Sequence, residues 1–118
     1  MVKLRNFSIT REKILPIGLG TFGHGDAYGG ITKEESFEIL RLASNGSLNG
    51  GKVLLDTAPK YGNGEVEEWI GEFVNKKNNN FLIATKGGRH IEHGRVNEKD
   101  FSPGFLRQDL ENSLSRLG

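Results

Sequence analysis

The sequence predicts an α/β fold with a parallel sheet: a small N-terminal hairpin, then three strands alternating with three helices. Three observations predict it. Short, continuous apolar runs lie at 14–19, 53–55 and 81–85, and runs of this kind suit strands buried on both faces. A helix signal follows each run. Polar or glycine residues (Gly20, Asp56, Lys86) stand where each run ends, as at the loop-bearing rim of a parallel sheet.

Taken in order, short alternating stretches around Thr10-Arg11-Glu12 predict the hairpin, over 1–15, leading into an apolar strand from Ile14 to Leu19. Four glycines and Asp26 within 23–30 make a loop. Thr32-Lys-Glu-Glu35 has capping-box spacing, and Phe37, Ile39, Leu40, Leu42 and Ala43 give the first helix a broad apolar side, ended by Asn45-Gly46. "KVLLD" reads as a buried strand ending at Asp56. The next helix has the clearest pattern, with Val66, Trp69, Ile70, Phe73 and Val74 on one face and Glu65, Glu67, Glu68 and Glu72 elsewhere. Lys76-Lys77 at its end suit the helix dipole, and "NNN" breaks it. Phe81 to Thr85 forms the third strand, ending at Lys86. Ser102-Pro103 then offers an N-cap and an N1 proline, and Leu106, Leu110, Leu114 and Leu117 align along a last helix capped by Gly118. Three strands are a narrow sheet for three helices, so the chain is expected either to continue beyond Gly118 or to assemble with copies of itself.

Composition narrows the function. The 118 residues are 35% hydrophobic and 26% charged, which fits at most one globular domain. Sixteen Lys+Arg against fifteen Asp+Glu leave a net charge of +1, so no basic field would draw nucleic acid or an anionic membrane. A small neutral or weakly charged partner fits better. The absence of cysteine excludes disulfides and thiol chemistry. No apolar run approaches the ~20 residues of a membrane span, and "MVKLR" leads into polar sequence, so the protein is expected in the cytoplasm. The sequons at Asn6 and Asn45 are then chance matches.

The stretch Gly18-Leu-Gly-Thr-Phe-Gly23 spells the glycine fingerprint of a dinucleotide-binding turn. That turn needs a helix to start within it, so that the helix N-terminus holds the pyrophosphate. Here the first helix signal is Thr32, and the next strand-end acid, Asp56, comes too late. The glycines read better as a strand end that permits close approach.

The strand ends themselves carry more. Gly20-Thr21, Asp56 and Lys86 fall on one rim, with Tyr61 five residues past Asp56. A lysine at the end of "FLIAT" is partly desolvated, which lowers its pKa unless a carboxylate compensates, and Asp56 is the candidate. A Lys86 cation would favour a tyrosinate, making Tyr61 a better proton donor or acceptor. The bland alternative is a rim salt bridge beside a surface tyrosine. His90 and His93 lie in an exposed loop and lack a further ligand for a metal, so no metal site is expected. That loop, with His24, Asp26 and Tyr28, is a candidate lining for a substrate mouth. Trp69 is expected in the core.

"LPIGLGTFG", "LLDTAPKYGNGEVEEWIG", "IATKGG" and "SPGFLRQDLENSLSRLG" together resemble, in order and over nearly the whole chain, the N-terminal part of the aldo-keto reductases. The "DTA…YG" and "ATK" elements are specific in combination. The resemblance implies a (β/α)8 TIM barrel closed below by the hairpin, of which 16–118 would supply three βα units. It implies a small carbonyl or alcohol substrate and a nicotinamide cofactor, NADP(H) in preference to NAD(H), bound without a Rossmann turn. By residue, Tyr61 would be the general acid, Lys86 and Asp56 would tune it, and Gly20, Thr21 and Asp56 would lie beside the nicotinamide ribose. The family's fourth catalytic residue, a histidine after the fourth strand, and its phosphate-binding strands have no counterpart in 1–118, so the isolated chain is expected to be inactive. The competing class is a non-catalytic module of the same ancestry that senses cofactor or binds a partner.

Overall fold

The computed structural model describes residues 3–8, 10–75, 80–92 and 98–118. Strand β1 (Arg5–Asn6) runs antiparallel to β2 (Lys13–Ile14), with Arg5 opposite Ile14. The Phe7 N–H donates to the Glu12 carbonyl at 2.9 Å and closes this hairpin. The single strand expected over 14–19 is divided. Ile14 stays with the hairpin and makes a parallel bridge to Lys52, while the first strand of the main sheet, β3, is only Leu19–Gly20. Pro16 has no N–H to give a ladder, and Ile17 turns out to solvent, so the chain bends between two sheets.

Strands β3, β4 (Val53–Asp56) and β5 (Phe81–Ala84) form a parallel sheet in sequence order. Gly20 lies beside Asp56, and Asp56 beside Ala84, so all three strand tips end in one row. Helices α1 (Lys33–Asn45), α2 (Glu65–Asn75) and α3 (Pro103–Leu117) follow the three strands. Leu40, Val53, Leu55, Val66, Ile70 and Phe81 make the core between sheet and helices, each burial contributing on the order of 2 kcal/mol. The capping box of α1 is formed in full, Thr32 Oγ1 accepting from the Glu35 N–H and Glu35 Oε2 accepting from the Thr32 N–H. Ser102 caps α3 from one side only, its hydroxyl accepting from the Phe105 N–H. Among the described residues no helix is long and apolar enough to cross a membrane.

Two helix faces differ from a simple apolar pattern, and one of them corrects the expectation that Trp69 lies in the core. The leucines of α3 do not face the core: Leu110 is 56% and Leu114 58% exposed, and only Leu117 packs against it. The buried positions of α3 are Asp109 and Ser113, because this helix meets its neighbours through hydrogen bonds, Ser113 to Glu67 of α2 and Asp109 to the Gly88 N–H beyond β5. Gly71 of α2 sits so close to the backbone of Arg116 and Leu117 that a Cβ there would collide with it. Trp69 is only half-buried, and Val66 and Ile70 fill the core in its place. Lys76 and Lys77 lie outside the described residues.

Candidate active site

The row of strand tips presents its side chains to one rim. Lys86, just past β5, donates from Nζ to Asp56 Oδ1 at 2.5 Å, to the Thr57 carbonyl at 2.9 Å and to Tyr61 Oη at 3.3 Å. Burial pushes the Lys86 ammonium towards losing its proton, but the hydrogen bonds to Asp56 and Tyr61 outweigh it and hold its pKa above the ordinary lysine value. The carboxylate therefore compensates, as the sequence required. The ammonium also stands 5.2 Å from the centre of the Tyr61 ring.

Tyr61 is fixed by the turn it opens. Gly62, Asn63 and Gly64 all take left-handed backbone angles, with φ of 58°, 51° and 97°, and this run brings the chain directly into α2. Glycine and asparagine are the residues that tolerate that region. On its other side Tyr61 meets the ring of Phe22, edge to face at 5.1 Å, and Phe22 in turn meets Tyr28. Gly25 explains how the first loop comes so near: a Cβ on it would lie 2.7 Å from the Gly62 nitrogen.

The two residues at the tip of β3 behave differently. Gly20 is exposed, and a Cβ added there would meet nothing within 4 Å, which leaves free space beside Asp56. Thr21 is fully buried, and its N–H and its hydroxyl both donate to the Asp56 carbonyl, at 2.9 and 3.0 Å. It acts by clamping β3 to the tip of β4.

The expected mouth residues separate. Asp26 lines a recess of about 350 Å³ with Phe22, Lys60 and Tyr61. His24 turns inwards instead, its Nδ1 2.7 Å from the Ser36 hydroxyl of α1, and burial lowers its pKa. His90 is buried rather than exposed, its ring 4.1 Å from that of Phe105 and its Nδ1 3.1 Å from Glu92. His93 lies outside the described residues. A larger cleft, of about 430 Å³, opens beside Tyr61 and Lys86 with Ala58, Pro59 and Phe101 as its apolar wall.

Sequence reasoning missed Glu67. It is fully buried on α2 and accepts hydrogen bonds from Thr85 (2.6 Å), Ser113 (3.3 Å) and Arg116 Nε (2.7 Å), tying β5, α2 and α3 together. The signal was the spacing Glu67 to Gly71: a small residue one turn on marks a face that another backbone approaches.

The parallel strands, the hairpin beside them and the rim triad define the first part of a (β/α)8 barrel, and among the described residues the barrel is not closed. The model of the aldo/keto reductase family matches residues 16–118, and the chain belongs to that family. It is 34% identical over 113 residues to aldo-keto reductase YhdN of Bacillus subtilis, covering 86% of this chain and 30% of that protein. It superposes on the glycerol dehydrogenase of Gluconobacter oxydans with a TM-score of 0.73 at 28% identity, over 98% of this chain and 35% of the other. An aldo-keto reductase of Klebsiella pneumoniae solved with NADPH shares the fold, with a TM-score of 0.66 at 22% identity over 99% of this chain and 36% of that one. The chain thus spans about a third of the length of these relatives.

Proposed function

We propose that this chain supplies the N-terminal part of an NADP(H)-dependent oxidoreductase that interconverts a small aldehyde or ketone and its alcohol. The three-way contact of Lys86 with Asp56, the Thr57 carbonyl and Tyr61 Oη carries this reading. A lysine paired only structurally would have no need of the phenol.

The donor set and the space fit a nicotinamide cofactor. Gly20 leaves the ground beside Asp56 open, and Asp56 offers a carboxylate to a ribose hydroxyl. The cofactor would supply a hydride to the carbonyl carbon, so that carbonyl, reduced cofactor and one proton give alcohol and oxidised cofactor. The chain's own residues manage that proton. Tyr61 Oη gives it to the carbonyl oxygen, and the Lys86 ammonium stabilises the phenolate left behind. Asp56 keeps Lys86 charged and aimed at the phenol, Thr21 clamps the tips of β3 and β4, and the left-handed turn holds Tyr61 in place. In the alcohol-oxidising direction the same atoms move the proton back.

The names of the relatives support the substrate class, since they include a D-threo-aldose 1-dehydrogenase and a glycerol dehydrogenase. The bound NADPH of the Klebsiella structure supports the cofactor. The test is loss of NADPH absorbance with benzaldehyde as substrate. Turnover by the whole protein that contains this chain, abolished by Tyr61→Phe, is expected, and equal turnover with and without the substitution would refute the assignment.

A further inference from the structure

The larger cleft has a charge pattern that the proton relay does not use. Lys60, Arg89 and Lys99 line it, all three exposed, and none forms an ion pair with any described residue. Lys86 in the same cleft is neutralised by Asp56, whereas these three are not. The lining holds one carboxylate, Asp109, which is buried and already accepts the Gly88 N–H at 2.9 Å. Moreover, Arg89 and Lys99 are partners in an antiparallel bridge. The flanking bonds, His90 N–H to Glu98 carbonyl and Asp100 N–H to Gly88 carbonyl, mark this as the pairing in which opposed side chains come closest. Like charges directly opposite each other are unfavourable, and an anion between them reverses the sign.

Resting on the oxidoreductase reading, we propose that this cleft selects carbonyl substrates bearing a carboxylate at the end remote from the reacting carbonyl. Tyr61 Oη takes the carbonyl oxygen from the β4–α2 side. Arg89 and Lys99 take the carboxylate from the β5–α3 side, the planar guanidinium matching its two oxygens. Ala58, Pro59 and Phe101 fit the ring or methylene chain between the two ends. Lys60, next to Tyr61, adds to the same field.

The test is equilibrium binding to the 118-residue chain, followed by backbone amide shifts, of 4-(hydroxymethyl)benzoate against its methyl ester. The carboxylate is expected to bind about tenfold tighter at low salt, a factor that two exposed ion pairs can supply. Added salt should erode that ratio, and an Arg89→Gln/Lys99→Gln double variant with an unchanged amide fingerprint should bring it near unity. Affinities within twofold of each other, or a ratio that survives the double variant, would overturn the proposal. A double variant that loses NADPH affinity but keeps the ratio would overturn it too, since the cations would then serve the cofactor's phosphates. Benzaldehyde turnover by the whole protein that contains this chain separates the two readings: its absence beside an intact carboxylate preference removes the catalytic reading and leaves the subsite standing.

Discussion

Thr85 and Lys86 are chain neighbours, yet each gives its side chain to a different carboxylate on a different face of the sheet. Thr85 donates to Glu67 within an ion pair that is sealed in, Glu67 being 0% and Arg116 16% exposed. Lys86 donates to Asp56 in a pair that stands open, at 50% and 54%. Both pairs have short bonds; what separates them is access. The sealed pair spends its acceptor capacity on three donors from two other elements, so it holds α2 and α3 to β5. The open pair shares its ammonium with a phenol that an incoming molecule can reach.

The contrast can be broken in several ways. The largest expected effect is on chemistry: in the whole protein that contains this chain, Tyr61→Phe should lower carbonyl reduction about 10²–10⁴-fold while leaving thermal unfolding in place. Stopped-flow hydride transfer measures this, and an undiminished rate would remove Tyr61 from the relay. Next in size, Glu67→Ala strands Arg116, Thr85 and Ser113 and should cost about 3 kcal/mol in urea unfolding, as breaking buried pairs does. A loss below ~1 kcal/mol would show that water reaches the cluster and that the two pairs are alike.

By the same measurement Lys86→Met should cost less than ~1 kcal/mol, because its pair is half in solvent. Its sign with pH is set by a raised folded pKa: the stabilisation is complete below pH 10.5 and is lost as pH rises through the folded value. His24 runs the other way. Its folded pKa is lowered by burial, so its contribution is complete above pH 6.5 and is lost as the pH falls through the folded value. Urea midpoints at neutral and mildly acidic pH should therefore separate, and His24→Gln should reduce the separation. Identical midpoints in the natural chain would show that His24 protonates as easily folded as unfolded.

The rim triad was legible in the sequence because strand ends announce themselves. An apolar run stops, and the residue at the stop must lie on the rim, so Asp56 and Lys86 could be paired before any contact was known. The capping box at Thr32 and Glu35 was legible for a similar reason, being local in sequence. What stayed hidden depends on contacts between distant segments. Glu67 reads as one more surface acid on a Glu-rich helix until Arg116, forty-nine residues later, comes to meet it. The leucines of α3 align along the helix, and periodicity alone cannot tell which neighbour that face meets, or that it stays exposed. Pro16 was visible, yet the continuity of the apolar run masked the bend it imposes.

The alignment of strand tips has one more consequence. Side chains alternate along a strand, so sliding β5 by a single residue against β4 would exchange the roles of Thr85 and Lys86. The ammonium would enter the closed compartment beside Glu67, where Arg116 already stands, and a threonine hydroxyl would face the phenol. That misfolded form would bury a surplus cation, which penalises it without any help from hydrophobic mismatch. The charge that Lys86 places on the rim thus also proofreads the pairing of the strands.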